Sequence, residues 1–463
     1  MVVIGVCAAN AAAKWGYREN QQRLILTAER DLARLQAQQA QPATQPVDAA
    51  LAQKRIAAQE SGLAALRSDQ DAFRWFSRWD AARYEEIVNS GYIYHHRDDP
   101  REVVIDGHIN GRMENIVWYP LYPVLGVLVQ KASGLATAVA LNVVSIACLI
   151  VAVPIFFLMA RRHYFVRRGV LTPNAIFTAD ISSANQGALF ATALLLFGPC
   201  GYFLYGNFTE SLFILLLASF LYCLQGRNWW AAALTAAVAS ACRSQGVLFG
   251  PILALSFLLR AGGTFPRRLA VAVVLGMISA VGLLTYMGYL KANWGDPMAF
   301  MHAQKTWNVG LNASTLAFAA NPLHAIENFL GTLHKPAFWP MAWPGKWRPD
   351  DWPMDWPLLW QAASVLWPPV LLLLGRRWLS FEQTILGWIL WGLPYVSNSM
   401  AGYPPQSMEW MSMSRYISAA LPLQLILGAA AMRHRWLGPV LLAASAAAFG
   451  VFAFKGGGDW WLG

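Results

Sequence analysis

The chain has 463 residues, of which 56% are hydrophobic and 13% are charged, and its mean hydropathy is +0.37. Soluble domains carry about 25% charged residues, so this composition excludes a protein whose surface lies mostly in water. The net charge of +10 comes largely from short arginine clusters at the ends of apolar runs, which favours the cytoplasmic loops of a membrane protein over a nucleic-acid-binding face. These clusters are Arg161/Arg162 with Arg167/Arg168, Arg260 with Arg267/Arg268, Arg376/Arg377, and Arg433/Arg435.

Two segments of different character precede the strongly apolar part of the chain. Residues 1–15 are apolar but too short to span a bilayer, and they lack the basic start of a signal peptide. We interpret them as a degenerate first membrane helix whose beginning is missing. Residues 16–70 are polar, with an incomplete leucine stripe that Pro42 and Pro46 interrupt, and predict an extramembrane helical hairpin or a loose coiled segment. We therefore divide the chain into residues 1–70 and a transmembrane domain, residues 71–463.

Apolar runs of roughly 15–23 residues, the length that crosses a bilayer, recur from Trp118 to Phe454. They cover about residues 118–132, 136–160, 187–205, 210–225, 229–242, 246–260, 268–290, 357–375, 381–397, 416–432 and 436–454. These runs predict an all-α, polytopic transmembrane helix bundle with about 10–12 membrane helices.

Placing the arginine clusters in the cytoplasm fixes the sides of the loops by alternation. The outer face then holds two long loops and three short ones: 71–117, 291–356, 206–209, 243–245 and 397–415. This topology requires the run 118–132 to lie in or dip into the outer leaflet. If that run spans instead, residues 71–117 are cytoplasmic.

Several motifs of soluble enzymes are missing from the sequence. It contains no Walker loop, no Rossmann glycine fingerprint and no HExxH, and its only DxD-like stretch is Asp350-Asp351 with Asp355. The five cysteines form no CxxC pair and indicate small membrane-buried residues. Tryptophans crowd the loop 291–356, which favours interfacial anchors, with a sugar-stacking platform as the alternative for one or two rings. We predict no metal and no cofactor, and a lipid-phosphate sugar rather than a nucleotide-sugar donor.

Asp80 is the first candidate for chemistry. It lies in RWFSRWDAARYEEI, whose aromatic residues, Tyr84 among them, suit an amphipathic helix on the outer membrane surface. A half-desolvated carboxylate at this level can accept a proton from a sugar hydroxyl as general base. The alternative is that Asp80 only pairs with Arg78 or Arg83.

The segment WYPLYP, residues 118–123, follows this helix and contains Tyr122. Its two prolines predict a rigid, non-helical entry to an apolar helix. The segment is either a structural bend or part of the site, and we assign Tyr84 and Tyr122 to substrate binding.

Three further charged residues are placed where a membrane protein usually avoids charge. Glu210 sits at the outer mouth of two apolar runs, so it is either a site residue, which we count as catalytic, or a favourable charge at a helix N-terminus. Arg243 and Arg415 lie on the outer face, against the positive-inside pattern. Arginine binds phosphate oxygens in a bidentate manner, which predicts an anionic headgroup site. Snorkelling to lipid phosphates is the alternative.

Six segments, running with gaps from about Arg74 to Ala430, resemble the PIG-V type of GPI mannosyltransferase (GPI mannosyltransferase II) and its bacterial relatives. They are RWDAARYEEIVNSGYIY, NIVWYPLYPVL, GPCGYFLYGNFTESLFILLLA, AALTAAVASACRSQGVLFGPIL, YLKANWGDPMAFMHAQKTWN and MSRYISAALPLQLILGA. Residues 16–70 have no counterpart in that family, and its first membrane helix is barely present here.

The resemblance implies a membrane glycosyltransferase of the GT-C class that takes mannose from a polyprenyl- or dolichyl-phosphate donor at the lumenal or periplasmic side. It implies that Asp80 is the catalytic base, and it matches Glu210 and Arg243 to an acidic residue and an arginine of the family.

We therefore expect an inverting, multi-pass mannosyltransferase that transfers its sugar to a glycan, lipid or protein acceptor. Its location is either a bacterial inner membrane, with a periplasmic site, or an ER membrane. The alternatives are a GT-C enzyme for another sugar, and a non-enzymatic transporter or scaffold of polysaccharide assembly.

Overall fold

The computed structural model describes most of the chain. The described residues are 1–39, 79–94, 114–171, 181–304, 310–334, 356–399, 412–434 and 436–457, with a few isolated residues between them and the backbone of five short strands.

Helices dominate these residues. They are α1 (Val2–Gln39), α2 (Asp80–Ser90), α3 (Leu121–Ser133), α4 (Thr137–Leu171), α5 (Ile181–Leu196), α6 (Tyr202–Tyr205), α7 (Glu210–Gln225), α8 (Trp229–Ser240), α9 (Ser244–Val247), α10 (Phe249–Arg260), α11 (Phe265–Trp294), α12 (Ala299–Ala303), α13 (Ala313–Ala319), α14 (Pro322–His334), α15 (Trp356–Gly375), α16 (Phe381–Ser397), α17 (Met413–Ser418), α18 (Leu421–Arg433) and α19 (Leu437–Gly457). Single 3-10 turns are formed by Pro199–Gly201 and Arg376–Trp378.

Five strands of two residues each lie between α2 and α3 and between α16 and α17 in the sequence. They are β1 (Val104–Ile105), β2 (His108–Ile109), β3 (Arg112–Met113), β4 (Gly402–Tyr403) and β5 (Gln406–Ser407). The first three form one antiparallel sheet in the order β1-β2-β3, and β4 pairs with β5, also antiparallel.

The bundle has two ends, which alternate along the chain. The site end carries the starts of α4, α7 and α10, and the far end carries the starts of α5, α8 and α11. Contacts across the chain fix this alternation. At the far end Arg260, the last residue of α10, pairs with Glu382 in the first turn of α16. Toward the site end, the Trp410 ring donates a hydrogen bond to the carbonyl of Tyr395 near the end of α16, 3.0 Å away. Within the described residues, α4, α5, α7, α8, α10, α11, α15, α16, α18 and α19 run between the two ends.

The lengths of these helices suit a membrane. Three described helices are long and apolar enough to cross a bilayer alone: Thr137–Val166 within α4, all of α11, and Leu437–Lys455 within α19. Ser182–Leu196 and Pro199–Tyr205, bent by 65° relative to each other, make a fourth span if they are counted together. Shorter apolar helices are Glu210–Gln225, Trp229–Ser240, Ser244–Arg260 and Leu421–Arg433. The chain is an integral membrane protein, and the predicted all-α, polytopic architecture is confirmed.

Helix α3 does not cross the bundle. Its 13 residues extend about 20 Å at a rise of 1.5 Å per residue, against about 30 Å of hydrocarbon. The amide of Leu121 at its start donates to Ala241 at the end of α8, 3.0 Å away. Near its other end, Gln130 donates to Thr137, the first residue of α4, at 2.8 Å. Both ends of α3 therefore lie at the site end of the bundle. That this helix lies in or dips into the outer leaflet stays a prediction.

The N-terminal region differs from the expected division at residue 15. Residues 2–39 form one continuous helix, α1. Its first half packs on the bundle, where Ala9 and Ala13 are fully buried and the ring of Trp15 lies 5.2 Å from that of Phe454 in α19. Its second half is charged and extends past the site end. The Gln59 amide donates a hydrogen bond to the carbonyl of Ala28 at 3.4 Å, so residue 59 lies against this half of α1. Most of residues 40–75 lie outside the described residues.

Candidate functional site

Four charged side chains meet at the site end of the bundle. Asp80 is the first residue of α2, Glu210 the first of α7, Arg243 joins α8 to α9, and Arg415 lies in α17. The Arg415 guanidinium donates to both carboxylates: Nη1 to Oδ2 of Asp80, Nε to Oε1 of Glu210, and Nη2 to Oε2 of Glu210 at 3.1 Å. Arg243 Nη1 donates to Oε1 of Glu210 at 2.7 Å. The structure thus brings together all four charged residues that the sequence singled out.

Burial separates the roles of these four groups. The Glu210 side chain is fully buried, whereas 5% of Arg415, 11% of Arg243 and 31% of Asp80 is exposed. The two arginines are too deeply buried for snorkelling, and their charges are compensated by the two carboxylates, as buried charges require. Asp80 is the member of the cluster most open to an incoming molecule.

The structure bears on the local alternatives for the two carboxylates only where their neighbours are described. Arg83 pairs with Glu86 at 2.9 Å and not with Asp80, and Arg78 lies outside the described residues. Glu210 does occupy the N-terminus of α7, where the helix dipole favours a negative charge. It also holds both arginines, so the helix-terminus and site interpretations of this residue are compatible.

Aromatic rings support both guanidinium groups. Cζ of Arg415 lies 4.9 Å from the ring centre of Phe208 and 5.1 Å from that of Phe203. Cζ of Arg243 lies 5.1 Å from the ring of Tyr416 and 5.6 Å from that of Phe213. Ring faces attract cations, so these contacts hold the arginines in place. These rings were not predicted from the sequence. Their only signal was adjacency, since Tyr416 follows Arg415 and Phe208 stands two residues before Glu210.

Close packing forms the turn that carries Arg243. The amide of Gly246 donates to the carbonyl of Arg243 at 2.9 Å. A Cβ atom at Gly246 would lie 2.1 Å from the carbonyl oxygen of Ala239, so only glycine fits at this position. Residues of α4 hold the turn that precedes Glu210. The Asn207 amide donates to Ala138 O at 3.0 Å, and the Ser145 hydroxyl donates to Phe208 O at 3.3 Å.

Unfavourable backbone conformations flank the cluster. Trp79, immediately before Asp80, has φ 51°, and Trp410 and Ser412, shortly before Arg415, have φ 53° and 64°. Residues other than glycine rarely adopt a positive φ, and such strain often occurs at functional sites. Trp410 is fully buried and stacks on Tyr395, so packing is available to hold this conformation.

The two predicted tyrosines have different positions. Tyr84 lies one helical turn after Asp80 on the same face of α2, is buried, and has Asp80 and Arg415 as electrostatic neighbours. Tyr122 lies behind it, with the ring centres 5.0 Å apart. The Tyr122 hydroxyl donates a hydrogen bond to the carbonyl of Leu141 at 3.0 Å and shares a hydrogen bond with the hydroxyl of Ser145 at 2.7 Å. The arrangement therefore gives Tyr84 a place beside the cluster and Tyr122 a place in the core that supports it.

A second polar group joins the two long loops at this end. Asp296, just after α11, accepts a hydrogen bond from the Tyr94 hydroxyl at 3.2 Å and lies 2.7 Å from Nδ1 of His302. Desolvation works to raise the pKa of the Asp296 carboxyl, but the hydrogen bonds from His302 and from the backbone of Met298 outweigh it, and the pKa lies below its usual value. The ionised carboxylate therefore ties residues 92–94 to the segment after α11.

The structure describes only part of the residues that could form a metal site, the DxD-like stretch or the tryptophan-rich loop. Among the described residues, no group of three or more His, Cys, Asp or Glu side chains could hold a metal ion. The aspartates of the DxD-like stretch and the tryptophans at 307, 339, 343, 347 and 352 lie outside the described residues.

Comparison with known proteins gives structural neighbours alone. No family model matches the chain, and no curated protein matches it either. Two crystal structures of the Archaeoglobus fulgidus oligosaccharyltransferase are similar. One is tethered through a disulfide bond to an acceptor peptide containing the NVT sequon, with 14% identity and a TM-score of 0.38 over 84% of this chain and 51% of that one. The other is a complex with Zn and sulfate, with 12% identity and a TM-score of 0.34 over 83% and 48%. The chain thus spans about half the length of these neighbours.

Proposed function

We propose that the chain is a membrane glycosyltransferase of the GT-C class. In this proposal it transfers a sugar from a polyprenyl-phosphate-linked donor to an acceptor hydroxyl at the outer face of the membrane. The observation that carries the proposal is the cluster of Asp80, Glu210, Arg243 and Arg415. It combines a partly exposed carboxylate with two buried guanidinium groups at one end of an apolar bundle. A lipid-linked phosphate can reach such a place from within the bilayer.

The proposed reaction is a single displacement with inversion. Asp80 takes the proton of the acceptor hydroxyl, and the acceptor oxygen attacks the anomeric carbon of the sugar. The bond between that carbon and the phosphate oxygen breaks, and the electron pair leaves with the lipid phosphate. One negative charge thereby moves from Asp80 to the phosphate. Arg415 and Arg243 stabilise that charge where it develops, which is the general requirement for electrostatic catalysis.

Glu210 has a positioning role in this mechanism. Its carboxylate is fully buried and accepts hydrogen bonds from both arginines, so it is poorly placed to receive a proton from an acceptor. It instead fixes the spacing and orientation of the two guanidinium groups before the donor arrives. Such preorganisation spares the site a rearrangement during the reaction.

We infer mannose as the sugar. Support for this finer assignment comes from the resemblance of six segments to the PIG-V type of mannosyltransferase, and four of these segments contain Asp80, Glu210, Arg243 or Arg415. The acceptor belongs to the glycans, lipids or proteins of the outer face.

One transfer experiment tests the function. The purified full chain, in liposomes, receives polyprenyl-phosphate [³H]mannose and an extract of membrane lipids, and the product is separated by partition and chromatography. We expect label to move from the donor to a new acceptor fraction. GDP-[³H]mannose serves as the control donor and should give no transfer. Transfer from the nucleotide sugar alone contradicts the lipid-linked donor, and no transfer from either contradicts mannosyl transfer.

A further inference from the structure

A polar cavity with an open mouth lies at the far end of the bundle, away from the charged cluster. Its volume is about 290 Å³, and it lies between the last third of α4, the ends of α7 and α10, and the start of α16. This volume is near the lower limit of small-molecule sites, which measure about 300–1,000 Å³. Its lining includes Arg162, His163, Gln225, Arg260 and Glu382.

The inner wall of the cavity offers an acceptor that no described residue satisfies. Only 3% of the Glu382 side chain is exposed. Its Oε2 accepts a hydrogen bond from Arg260 at 2.8 Å, whereas Oε1 has no hydrogen-bond partner within the described part of the chain. Both polar atoms of the Gln225 amide are likewise buried without a described partner. Buried polar atoms of this kind are costly, so the cavity is built for a guest with hydrogen-bonding groups.

The mouth of the cavity is positively charged. Arg162, in the last third of α4, and Arg260, the last residue of α10, are both exposed there. The ion pair of Arg260 uses one of the five N–H donors of its guanidinium, which leaves donors for a further anion. Val166, an exposed apolar residue one turn after Arg162, also lines the cavity, so an acyl chain has a surface to follow.

We propose that this cavity binds the phosphoglycerol headgroup of an anionic membrane lipid. The phosphate lies between Arg162 and Arg260, where planar guanidinium groups match its oxygens. The glycerol hydroxyls reach inward and donate to Oε1 of Glu382 and to the Gln225 amide. The site is independent of sugar transfer, because it lies at the opposite end of the bundle from Asp80.

Lipid-dependent thermal stability of the full chain in detergent tests this site. Short-chain phosphatidylglycerol should raise the melting temperature, whereas phosphatidylcholine, whose headgroup has no hydrogen-bond donor, should leave it unchanged. Arg162→Gln should weaken the response to phosphatidylglycerol about tenfold in lipid concentration, since a charge-assisted hydrogen bond is lost. Arg161→Gln is the matched control, because Arg161 is exposed on the neighbouring position but does not line the cavity, and it should respond as the wild type.

Several results would overturn the proposal. Equal responses to both lipids, no response to either, or a full response in Arg162→Gln would each do so. A response to soluble glycerol phosphate as large as to the lipid would assign the cavity to a free phosphate ester instead. If Arg162→Gln does not fold, native mass spectrometry of the wild type in nanodiscs of equal phosphatidylglycerol and phosphatidylcholine content gives the answer. Enrichment of phosphatidylglycerol adducts supports the proposal, and equal adducts refute it.

Discussion

Replacement of Asp80 by asparagine separates catalysis from structure in the charged cluster. Asparagine keeps the size of the side chain and can still accept a hydrogen bond from Arg415, but it cannot take a proton from an acceptor. Arg415 keeps its two hydrogen bonds to Glu210, so it is not left without a carboxylate. We therefore expect a folded protein that no longer transfers sugar.

The two effects differ greatly in size. General-base catalysis contributes about 10²–10⁴-fold to a rate, so D80N should lower the transfer rate by at least about 100-fold. The Asp80 side chain is 31% exposed, so water partly screens its pair with the buried Arg415, which keeps both of its hydrogen bonds to Glu210. The free energy of unfolding should therefore fall by less than the roughly 3–5 kcal/mol expected when a fully buried charge loses its partner.

The transfer assay with polyprenyl-phosphate [³H]mannose measures the rate, and thermal unfolding in detergent measures the stability. E86Q is the matched control, because Glu86 lies in the same helix, and its 2.9 Å pair with Arg83 is not part of the cluster. It should keep wild-type activity. A fully active D80N protein refutes the assignment of the base, and an equal loss in E86Q shows that the integrity of α2, and not the carboxylate of Asp80, was being measured.

Three further substitutions test Glu210, the turn that carries Arg243, and the polar group around Asp296. E210Q leaves two buried arginines short of a carboxylate and should cost about 3–5 kcal/mol in the free energy of unfolding, measured by denaturant titration; a change near zero contradicts the positioning role. G246A should destabilise by about 1–3 kcal/mol because its Cβ would overlap a backbone carbonyl oxygen, whereas G276A, with no atom within 4 Å of its added Cβ, should not; similar melting temperatures contradict the packing argument. The pKa of Asp296 is lower in the folded protein than its unfolded value of 3.8, so the ionised carboxylate stabilises the fold above pH 3.8. This stabilisation is lost as the pH falls through the folded pKa, and the difference in melting temperature between wild type and D296N should narrow over that range. A difference that does not depend on pH contradicts the link to His302.

The fold was largely predictable because membrane helices are specified by run length. The predicted runs 210–225 and 381–397 agree with α7 and α16 at both ends. Bends within a run were not predictable from hydropathy: the run 187–205 turns by 65° after α5, at a Gly-Pro step. Helix α1 was also unexpected in length, because its mixed composition resembles two segments although no residue between 2 and 39 interrupts the helix.

The charged site was predictable for a related reason. A bilayer tolerates an ionisable group only where it has a partner or a function, so Glu210, Arg243 and Arg415 were visible as exceptions. The distances between their side chains were not predictable, because these residues are far apart in the sequence and only the packing of whole helices brings them together. The aromatic supports of the arginines were hidden for the opposite reason, since Phe203 and Phe208 resemble any other apolar residue of a membrane segment.

The sharing of Arg415 gives the proposed mechanism an order. The two carboxylates compensate the charges of the two arginines, and Arg415 bonds them through Nε, Nη1 and Nη2, so an anionic donor that binds Arg415 competes with the carboxylates. Glu210 is fully buried and bound twice by Arg415, whereas Asp80 is partly exposed and bound through a single Nη1, so in the proposed mechanism the donor phosphate displaces Asp80. The oxygen that Arg415 releases is then able to accept a proton, at the moment when the sugar to be transferred is in place. In the proposed mechanism, a base that its own ion pair blocks until the donor binds does not activate water or acceptor too early. This order rests on the burial of Glu210 and the partial exposure of Asp80.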